Sequence, residues 1–418
     1  MSRTAKVRLI IAGGGGRGTT YADLAARTGK AQVVGVAEPR DYYRNYLAKT
    51  YDIPAKNLFT DWKDMAVREK FADAVIVATQ DRMHVEPAVA FAAKGYDMLL
   101  EKPMAPTADG CRKIVKAAVD AGIMFAVCHV MRYTDYTRKL ISLLRGGLIG
   151  EVVSLQHLEP VGYWHQAHSF VRGNWRNTGQ SSCMLLAKSC HDLDWIRYVM
   201  DAPCKKVSSF GSLYHFRPAG KPKGAADRCL DCPVEPTCPY SAKKIYLGRV
   251  AKGELWWPVD VLHPEPTMEN ITEAIATGPY GRCVYACDND VVDHQVVNME
   301  FAGGKSAAFT MTAFNFGRGR ETRIFGTRGE LHGDGSKLVH NDFLTDKTAQ
   351  IDTAAPDASI SGGHGGGDGR MIWSFVSALA DRDPSQILSG PQETLETHLM
   401  VFAAEQARLE NRVVEVKV

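Results

Sequence analysis

The sequence has no apolar run near the roughly 20 residues needed to span a bilayer, and it has no internal repeat or long disordered tract. It also lacks an excess of one charge, since 50 Lys and Arg residues against 47 Asp and Glu residues leave a net charge of +3. This balance argues against a nucleic-acid-binding protein and against a membrane-surface protein. The first apolar stretch, residues 7–12, is interrupted by Arg8 and is too short for a secretory signal. We therefore expect a cytoplasmic protein.

The chain does have enough length and apolar content for a large folded core. Its 418 residues are 45% hydrophobic and 23% charged, which is ordinary for a globular protein. A chain of this length predicts two domains. In a reducing compartment the ten cysteines are expected to be mostly free core thiols, apart from one clustered group.

The stretch KVRLIIAGGGGRGTTYADLAARTG is typical of a strand, a glycine turn and a helix. Gly13, Gly15 and Gly18 have the G-x-G-x-x-G spacing, so backbone amides and the helix N-terminus can bind a pyrophosphate. A second strand ends at Glu38, whose carboxylate can accept hydrogen bonds from ribose hydroxyls and would repel a 2′-phosphate. These features predict a dinucleotide site that favours NAD, although Arg40 leaves NADP open. The alternative is a glycine-rich turn without a ligand.

Strands and helices continue to alternate through the first 130 residues, which predicts a parallel sheet with helices on both faces. Ligands of such sheets bind outside the carboxyl ends of the strands. The glycine turn, TQDRMH (79–84) and EKP (101–103) all follow predicted strands. Lys102 at this edge can hydrogen-bond a substrate oxygen beside a nicotinamide. The alternative is a solvated charge at the end of a strand.

Further motifs extend over nearly the whole chain: a helix that carries His191, GTRGEL (326–331) and the glycine-rich GHGGGD (363–368). In these features the sequence resembles the Gfo/Idh/MocA family of NAD(P)-dependent sugar oxidoreductases. The resemblance implies an α/β protein with an N-terminal Rossmann domain, residues 1–130, built on a doubly wound parallel sheet. It implies a C-terminal α/β domain, residues 131–418, with a large, open, mostly antiparallel sheet. It also implies a homodimer or homotetramer built on that second sheet.

The motifs and the resemblance together predict which residues contact the cofactor. We expect these residues to bind NAD, with NADP as the less favoured alternative. We expect the substrate to be a small-molecule carbohydrate. The predicted cofactor residues are Gly13, Gly15, Arg17, Gly18, Glu38, Thr79, His84, Glu101 and Lys102.

The stretch VGYWHQAHSFVRGNWRN in the second domain is dense in aromatic, His and Arg side chains. Aromatic faces stack on sugar rings, and guanidinium groups hydrogen-bond hydroxyls or anions. The stretch therefore predicts a substrate-binding loop, and the alternative is a well-packed loop that covers the core. The substrate candidates, which include one residue of the following helix, are Tyr163, His165, His168, Arg172, Trp175, Arg176 and Lys188.

The segment MLLAKSCHDLDW carries the predicted catalytic histidine. Leu186 and Leu193 recur on one face of a predicted helix and should be core, whereas Lys188 and His191 share another face. A largely apolar helix would bury a histidine and a lysine poorly unless they face a polar cleft. The resemblance implies that His191 accepts the proton of the substrate hydroxyl, which suits an imidazole, and that Lys102 orients the substrate oxygen. The alternative for His191 is a polar residue on an outer helical turn.

One position departs from the family's pattern. Many members have an aspartate four residues before this histidine, whereas this sequence has Ala187 followed by Lys188. The usual Asp–His pair is therefore absent, and the polyol dehydrogenases become a poorer match. Lys188 either brings a positive charge to the site, where it can bind an anionic substituent, or pairs with Asp192 at i+4.

The clustered cysteines lie in DRCLDCPVEPTCPYSA, where Cys229, Cys232 and Cys238 have the spacing C-x2-C-x5-C, and Cys283 and Cys287 follow downstream. Three thiols on a tight loop and one from a distant segment can close a tetrahedral zinc site or, less readily, hold an iron–sulfur cluster. We expect a structural zinc on Cys229, Cys232, Cys238 and Cys287, in an insertion of about residues 215–290. The alternative is a set of free thiols.

These features predict an enzyme that moves a hydride between a sugar ring carbon and the nicotinamide of NAD. The main alternative is an NAD-dependent glycosidase, in which a ring hydroxyl is transiently oxidised, the aglycone is eliminated, water adds and the hydride returns. The absent aspartate, Lys188 and the Arg172/Arg176 pair favour this alternative, and they suggest an acidic sugar such as a uronic or sulfonated glycoside. A third class is a nucleotide sensor without turnover. His364 is a weaker candidate for the site.

Overall fold

The computed structural model describes residues 5–317, 319–353 and 365–417, so His364 lies outside the described residues. Two sheets organise the chain, one built from the N-terminal strands and one from the later strands. In the described part of the chain, no helix combines the length and the apolar character that crossing a membrane requires.

The first sheet has six parallel strands in the order β3-β2-β1-β4-β5-β6. They are β1 (Val7–Ala12), β2 (Ala31–Ala37), β3 (Leu58–Phe59), β4 (Ala74–Val77), β5 (Asp97–Leu100) and β6 (Phe125–Val127). The strand order reverses between β1 and β4, so this edge of the sheet is the switch point at which such sheets bind ligands. The prediction of a doubly wound parallel sheet is confirmed.

Helices cover both faces of this sheet, as its almost uniformly buried central strands require. They are α1 (Gly16–Arg27), α2 (Asp41–Thr50), α3 (Trp62–Val67), α4 (Val85–Ala93) and α5 (Ala108–Asp120). Local sequence sets their starts: the Thr107 side chain, for example, caps α5 by accepting a hydrogen bond from Gly110 N at 3.1 Å.

The second sheet has nine strands within the described residues, in the order β14-β13-β12-β11-β7-β10-β9-β8-β15. They are β7 (Val152–Pro160), β8 (Cys204–Ser212), β9 (His294–Phe301), β10 (Ser306–Thr312), β11 (Glu321–Gly326), β12 (Gly329–Gly333), β13 (Lys337–Asp342), β14 (Lys347–Asp352) and β15 (Val414–Glu415). Only the β7–β10 pair among these strands is parallel. The large, mostly antiparallel sheet is therefore confirmed.

One face of the second sheet is covered by helices. The helices of this half are α6 (Asp135–Arg145), α7 (Tyr163–His165), α8 (Met184–Ala187), α9 (Cys190–Met200), α10 (Gly248–Val250), α11 (Met268–Thr277), α12 (Gly367–Asp381) and α13 (Pro391–Glu410), with a π-helical segment at Gln166–Arg172. Leu193 and Ile196 of α9 pack in one buried cluster with Phe309 of β10. The histidine helix is thus fixed on the inner face of this sheet.

Two late helices also complete the core around the first sheet. Ile372 and Phe375 of α12 pack with Leu9 and Ile76 of the first sheet, and Leu399 of α13 belongs to the core on its other face. α13 also contributes Met400 and Val401 to the core of the second sheet, so this helix packs against both sheets.

The segment 213–293 joins β8 to β9 and contains the predicted insertion. It has little regular structure apart from α10 and α11, and it buries a small aromatic core of its own. That core includes Phe216, Tyr240, Tyr246, Ile271 and Ile275, and it packs on Ala167 and Val171 of the π-helical segment. The insertion therefore covers part of the stretch that the sequence predicts to bind substrate.

Candidate active site

The glycine turn after β1 can be built only with glycine. Gly13 has a φ of +94°, and a Cβ there would lie 2.5 Å from the carbonyl oxygen of Ala78. A Cβ on Gly18 would lie 1.9 Å from the carbonyl oxygen of Gly13. Gly15 is the N-cap of α1 and brings no capping side chain, so the first amides of the helix are available to a pyrophosphate.

Glu38 lies directly after β2 and is only 3% exposed. Its Oε1 accepts hydrogen bonds from Arg40 Nε at 2.6 Å and from Arg40 N at 3.1 Å. The Arg40 guanidinium lies over the Tyr43 ring at 4.3 Å and reaches the glycine turn, where a Cβ on Gly15 would be 2.6 Å from its Nη2. Glu38 is therefore held at the position where an adenosine ribose would meet it.

Thr79 and His84, both predicted to contact the cofactor, have different environments. His84 is fully buried, with Nδ1 2.8 Å from the carbonyl oxygen of Pro103 and Nε2 3.0 Å from that of Thr79. It therefore links two loops of the site, and the expectation of a cofactor contact from this ring is corrected. Thr79 Oγ1 is buried and makes no hydrogen bond within the described residues, so it is free to bind a ligand.

Arg17 also differs from its predicted role. Its Nε donates to Glu101 Oε1 at 2.7 Å and its Nη2 to Asp368 Oδ1 at 2.6 Å, so two carboxylates hold it instead of a phosphate. Burial raises the pKa of Glu101, but Arg17 and Lys102 outweigh this effect and leave the pKa below its ordinary value. Asp368 begins α12 in the glycine-rich motif, and sequence reasoning did not connect it with Arg17.

The predicted catalytic pair comes from opposite sides of the cleft. Lys102 follows β5, and its Nζ donates to the carbonyl oxygen of Ala187 at 2.9 Å. Ala187 is the last residue of α8, and His191 lies four residues later in the first turn of α9. The contact therefore brings the lysine of the first sheet to the segment that leads into the histidine.

His191 belongs to a group of three imidazoles. Its ring meets the His129 ring edge to face at 5.8 Å, and His129 lies 5.4 Å from His398. Burial lowers the pKa of His129 to about 3 and that of His398 to about 4. His398 accepts a hydrogen bond from Met104 N at 3.0 Å and donates one from Nδ1 to Thr394 O at 2.7 Å. Both neighbours of His191 therefore stay neutral near pH 7.

The sequence did not single out His129, although a signal existed. It follows β6 directly, at the same carboxyl edge as the glycine turn and Lys102. Its Nε2 lies 3.7 Å from Asp194 Oδ1, and Arg132 donates to both oxygens of Asp194 at 2.7 Å. Burial raises the pKa of Asp194, but Arg132 outweighs this effect and holds the pKa below its usual range. The Arg132–Asp194 pair fastens α9 to the end of the first sheet.

Lys188 belongs to a network of ion pairs on the other side of α9. Its Nζ lies 2.7 Å from Glu159, which also binds Arg320 at 2.8 Å. Arg320 Nε also donates a hydrogen bond to Asp192 at 2.5 Å, and Asp192 lies 3.1 Å from His157 Nε2. The predicted i+4 pairing of Lys188 with Asp192 is wrong, because α8 ends before Lys188 and α9 begins after it.

Three of the predicted substrate residues border the cleft. Tyr163 and His165 form α7 and are half-buried. Burial lowers the pKa of His165, and the positive charge of Lys188 acts in the same direction. Trp175 Nε1 donates to Asp81 Oδ2 at 3.2 Å, in the loop after β4. These side chains thus stand between the first sheet and Lys188.

Besides Lys188, the three remaining predicted substrate residues make contacts within the fold. Arg172 is 1% exposed and donates to two backbone carbonyls of the insertion at 2.7 and 2.8 Å. His168 Nδ1 lies 2.9 Å from Tyr246 Oη. Arg176 binds Asp288 with two hydrogen bonds. The expectation of substrate contacts from His168, Arg172 and Arg176 is corrected, because the insertion packs on the face that carries them.

The predicted zinc site is not supported. Within the described residues, no group of three or more His, Cys, Asp or Glu side chains is arranged to hold a metal ion, and the ten cysteines are free. An isolated antiparallel β-bridge pairs the backbones of Arg228 and Arg282. It brings Cys283 close to the three cysteines of the upstream loop. Cys287 instead donates to the carbonyl oxygen of Cys283 at 3.3 Å. The thiols that line one small cavity are Cys229, Cys232, Cys238 and Cys283.

Comparison with protein families gives matches over most of the chain. Residues 7–129 match the Gfo/Idh/MocA oxidoreductase family at its NAD-binding Rossmann fold. Residues 141–416 match the C-terminal α/β domain of the same family. The two matches meet near the boundary between the two sheets.

Individual relatives are more distant. The Bacillus subtilis (strain 168) protein YteT, which is named as an oxidoreductase, is 24% identical over 332 residues, 74% of this chain and 73% of YteT. The 2,7-anhydro-N-acetylneuraminate hydratase of Escherichia coli (strain K12) is 31% identical over 159 residues, 37% of this chain and 41% of that enzyme. A levoglucosan dehydrogenase in complex with NADH superimposes with a TM-score of 0.72, covering 99% of both chains at 17% identity. At that identity the superposition shows the fold alone.

Proposed function

The chain belongs to the Gfo/Idh/MocA oxidoreductase family, and we propose that it uses NAD to move a hydride at a hydroxyl-bearing ring carbon of a sugar or glycoside. The observation that carries this proposal is the 2.9 Å contact from Lys102 Nζ to the carbonyl oxygen of Ala187. Lys102 follows β5 at the ligand-binding edge of the first sheet, and the carbonyl that it contacts lies four residues before His191 in the sequence. A substrate hydroxyl at this edge can reach both side chains.

The residues of the first sheet fit NAD. The turn at Gly13 and Gly18 leaves no room for a side chain, and the open N-terminus of α1 suits a pyrophosphate. Buried Thr79 Oγ1 and the fixed carboxylate of Glu38 add a hydroxyl and a ribose acceptor. When bound, NAD supplies the nicotinamide carbon that accepts or returns the hydride.

The protein's own groups handle the proton and the substrate oxygen. In the oxidising direction, His191 removes the hydroxyl proton, and Lys102 donates a hydrogen bond to the same oxygen as negative charge develops there. His129 and His398 do not compete for that proton, because burial keeps their pKa values at about 3 and about 4.

Side chains that border the cleft orient the substrate. Tyr163, His165 and Trp175 offer ring faces, and Lys188 offers a charge that Glu159 already partly neutralises. The cytoplasmic location and the homodimer or homotetramer stay predictions of the sequence.

Glu38→Ala is expected to weaken NAD binding and to reduce the preference for NAD over NADP. Hydrogen bonds to a charged group contribute about 1.5–3 kcal/mol, so the Kd for NAD should rise roughly 10- to 100-fold. NADP binding should weaken less or improve, because Arg40 loses the carboxylate that holds it. Titration of both cofactors by protein fluorescence measures this ratio.

Asp41→Asn is the matched control, since Asp41 is a neighbouring acid whose side chain is 79% exposed. It should leave both Kd values near those of the wild type. If the ratio of the Kd values for NAD and NADP is unchanged in Glu38→Ala, Glu38 does not contact the ribose.

A second candidate function is cleavage or hydration of a glycoside by transient oxidation, with no net redox change. One relative, at 31% identity over 159 residues, is named as a hydratase, and hydration consumes no oxidant. The replacement of the family's aspartate by Ala187 and the adjoining charged group of Lys188, Glu159 and Arg320 also distinguish this site. The expectation of a uronic or sulfonated sugar rests here on Lys188, since Arg172 and Arg176 are held by the fold.

One experiment separates the two functions. The purified protein is incubated with NAD and a panel of pyranoses and aryl glycosides, neutral and acidic, and both NADH and free aglycone are followed. Net hydride transfer predicts NADH in proportion to oxidised sugar. Aglycone release without NADH accumulation supports the second candidate. Neither product with any member of the panel would contradict both candidates and favour a nucleotide sensor.

A further inference from the structure

Four aromatic rings on one side of the cleft are joined by successive ring contacts, and we call this group the aromatic wall. Trp175 contacts Phe170 with ring centroids 6.3 Å apart, and Phe170 contacts His165 at 5.8 Å. The Trp257 ring then meets His165 edge to face at 4.8 Å. The wall thus connects Trp175 to Trp257 through three ring contacts.

The wall begins at the cofactor-binding sheet and passes the catalytic side chains. Trp175 is hydrogen-bonded to Asp81 in the loop after β4. At the middle of the wall, the positive charges of Lys188 and Lys102 both reach His165, although burial is the larger cause of its lowered pKa. His165 lies on α7, which begins shortly after β7 ends, and Glu159 of β7 binds Lys188, so the middle of the wall lies near the segment that leads into His191.

The far end of the wall belongs to the insertion. Trp257 lies between α10 and α11, next to Trp256, which is 65% exposed. Trp257 is thus the member of the wall that belongs to the insertion, and it contacts α7 through His165.

The two indoles at the ends of the wall are not closed into the core. Trp175 is 37% exposed and Trp257 is 39% exposed, whereas Phe170 between them is buried. Exposed aromatic surface that adjoins a polar cleft is typical of a ligand-binding site. Flat rings bind the C–H faces of sugars by dispersion and by removing apolar surface from water.

We propose that the outer part of the aromatic wall, centred on Trp257, binds a second sugar ring or a ring-shaped aglycone, so that the substrate is a glycoside of at least two rings. This inference rests on the proposed function, because it takes the first ring to lie at Lys102 and His191. The occupant is a carbohydrate and not a protein surface, since Trp257 contacts His165, which borders the substrate cleft.

The test compares Trp257→Ala with the wild type in the presence of NAD. The probes are free pyranoses and the disaccharides and aryl glycosides that carry the same pyranose at their non-reducing end. The wild type should prefer the two-ring ligands, and Trp257→Ala should lose roughly 10- to 100-fold in kcat/KM for them, mainly through KM. Activity on the free pyranose should change less than about twofold.

Trp373→Ala is the control, because Trp373 has the same 39% exposure but lies on α12 over Lys30, outside the wall. It should leave both substrate classes unchanged, and Trp257→Phe should recover most of the two-ring preference. Thermal melting confirms that each variant is folded.

The outcomes separate this inference from the proposed function. Turnover of free pyranoses with no advantage for two-ring ligands, or an equal loss for both classes in Trp257→Ala, overturns the second-ring site alone. Absence of sugar binding and turnover in the wild type, with NAD bound, overturns the proposed function and this inference together.

Discussion

Replacement of His191 by alanine should lower kcat roughly 10²- to 10⁴-fold, which is the usual contribution of a general acid–base group. The imidazole lies in the first turn of α9, and its neighbours His129 and His398 cannot take its place, since burial lowers their pKa values to about 3 and about 4 and makes them weak bases. The Kd for NAD should change little, because the cofactor residues belong to the first sheet. Steady-state NADH formation and calorimetric titration of NAD measure the two quantities.

His332→Ala serves as the control, since His332 is a partly exposed histidine on β12 that pairs with Glu330 at 3.1 Å. It should keep wild-type turnover. Added imidazole should restore part of the lost activity of His191→Ala if the missing group is a proton acceptor. Full activity in His191→Ala, with the protein folded and NAD bound, would refute the assignment.

The sequence predicted the first sheet well because its signals are local. A strand, a glycine turn and a helix occur within one stretch, and Gly13 and Gly18 are dictated by contacts with nearby backbone. The position of Lys102 followed from the rule that parallel strands present their carboxyl ends at one edge. Since these signals need no knowledge of the second domain, they could be found without the structure.

Residue roles that depend on a helix break could not be predicted. Lys188 and Asp192 have i+4 spacing, but the chain leaves the helix between Ala187 and Cys190. The side chain of Lys188 therefore points to Glu159 on β7 instead of to its neighbour in sequence. Periodicity assumes an unbroken helix, and nothing in the local sequence marks this break.

The same limit applies to contacts between distant segments. Arg17 pairs with Asp368 across 351 positions, and Arg172 is buried because the insertion folds over it. An arginine next to a glycine turn, or among aromatic residues, has the same sequence signature whether it binds a ligand or a carboxylate of the fold. Only the tertiary structure distinguishes these cases. It shows that Arg17 and Arg172 make their contacts within the fold.

The scaffold beneath the site supplies the second large expected effect. Asp194→Asn should lower the free energy of unfolding by roughly 3–5 kcal/mol, because it leaves the buried Arg132 guanidinium without its main counter-ion. Glu393 remains at 2.9 Å from Arg132, but its side chain is 62% exposed and solvent weakens the pairing. Urea denaturation at pH 7 measures the change.

The pH dependence of this loss follows from the carboxyl group. Burial raises the pKa of Asp194, Arg132 more than reverses that effect, and the folded-state pKa lies below the value of about 3.9 in an unfolded chain. A lowered pKa stabilises the fold above the unfolded value, and this stabilisation is lost as the pH falls through the folded value. The difference in the free energy of unfolding between the wild type and Asp194→Asn should therefore be constant near pH 7 and become smaller below about pH 4.

Asp288→Asn is the matched control. Asp288 also accepts two hydrogen bonds from one arginine, Arg176, and a third from Arg282, but its side chain is 49% exposed. The Asp288→Asn substitution should lower the free energy of unfolding by about 1 kcal/mol or less. Adding Arg132→Met to Asp194→Asn should restore part of the stability, since the uncompensated charge is then removed. Equal losses in Asp194→Asn and Asp288→Asn would show that burial does not strengthen the Arg132–Asp194 pair, and that α9 is held by apolar packing alone.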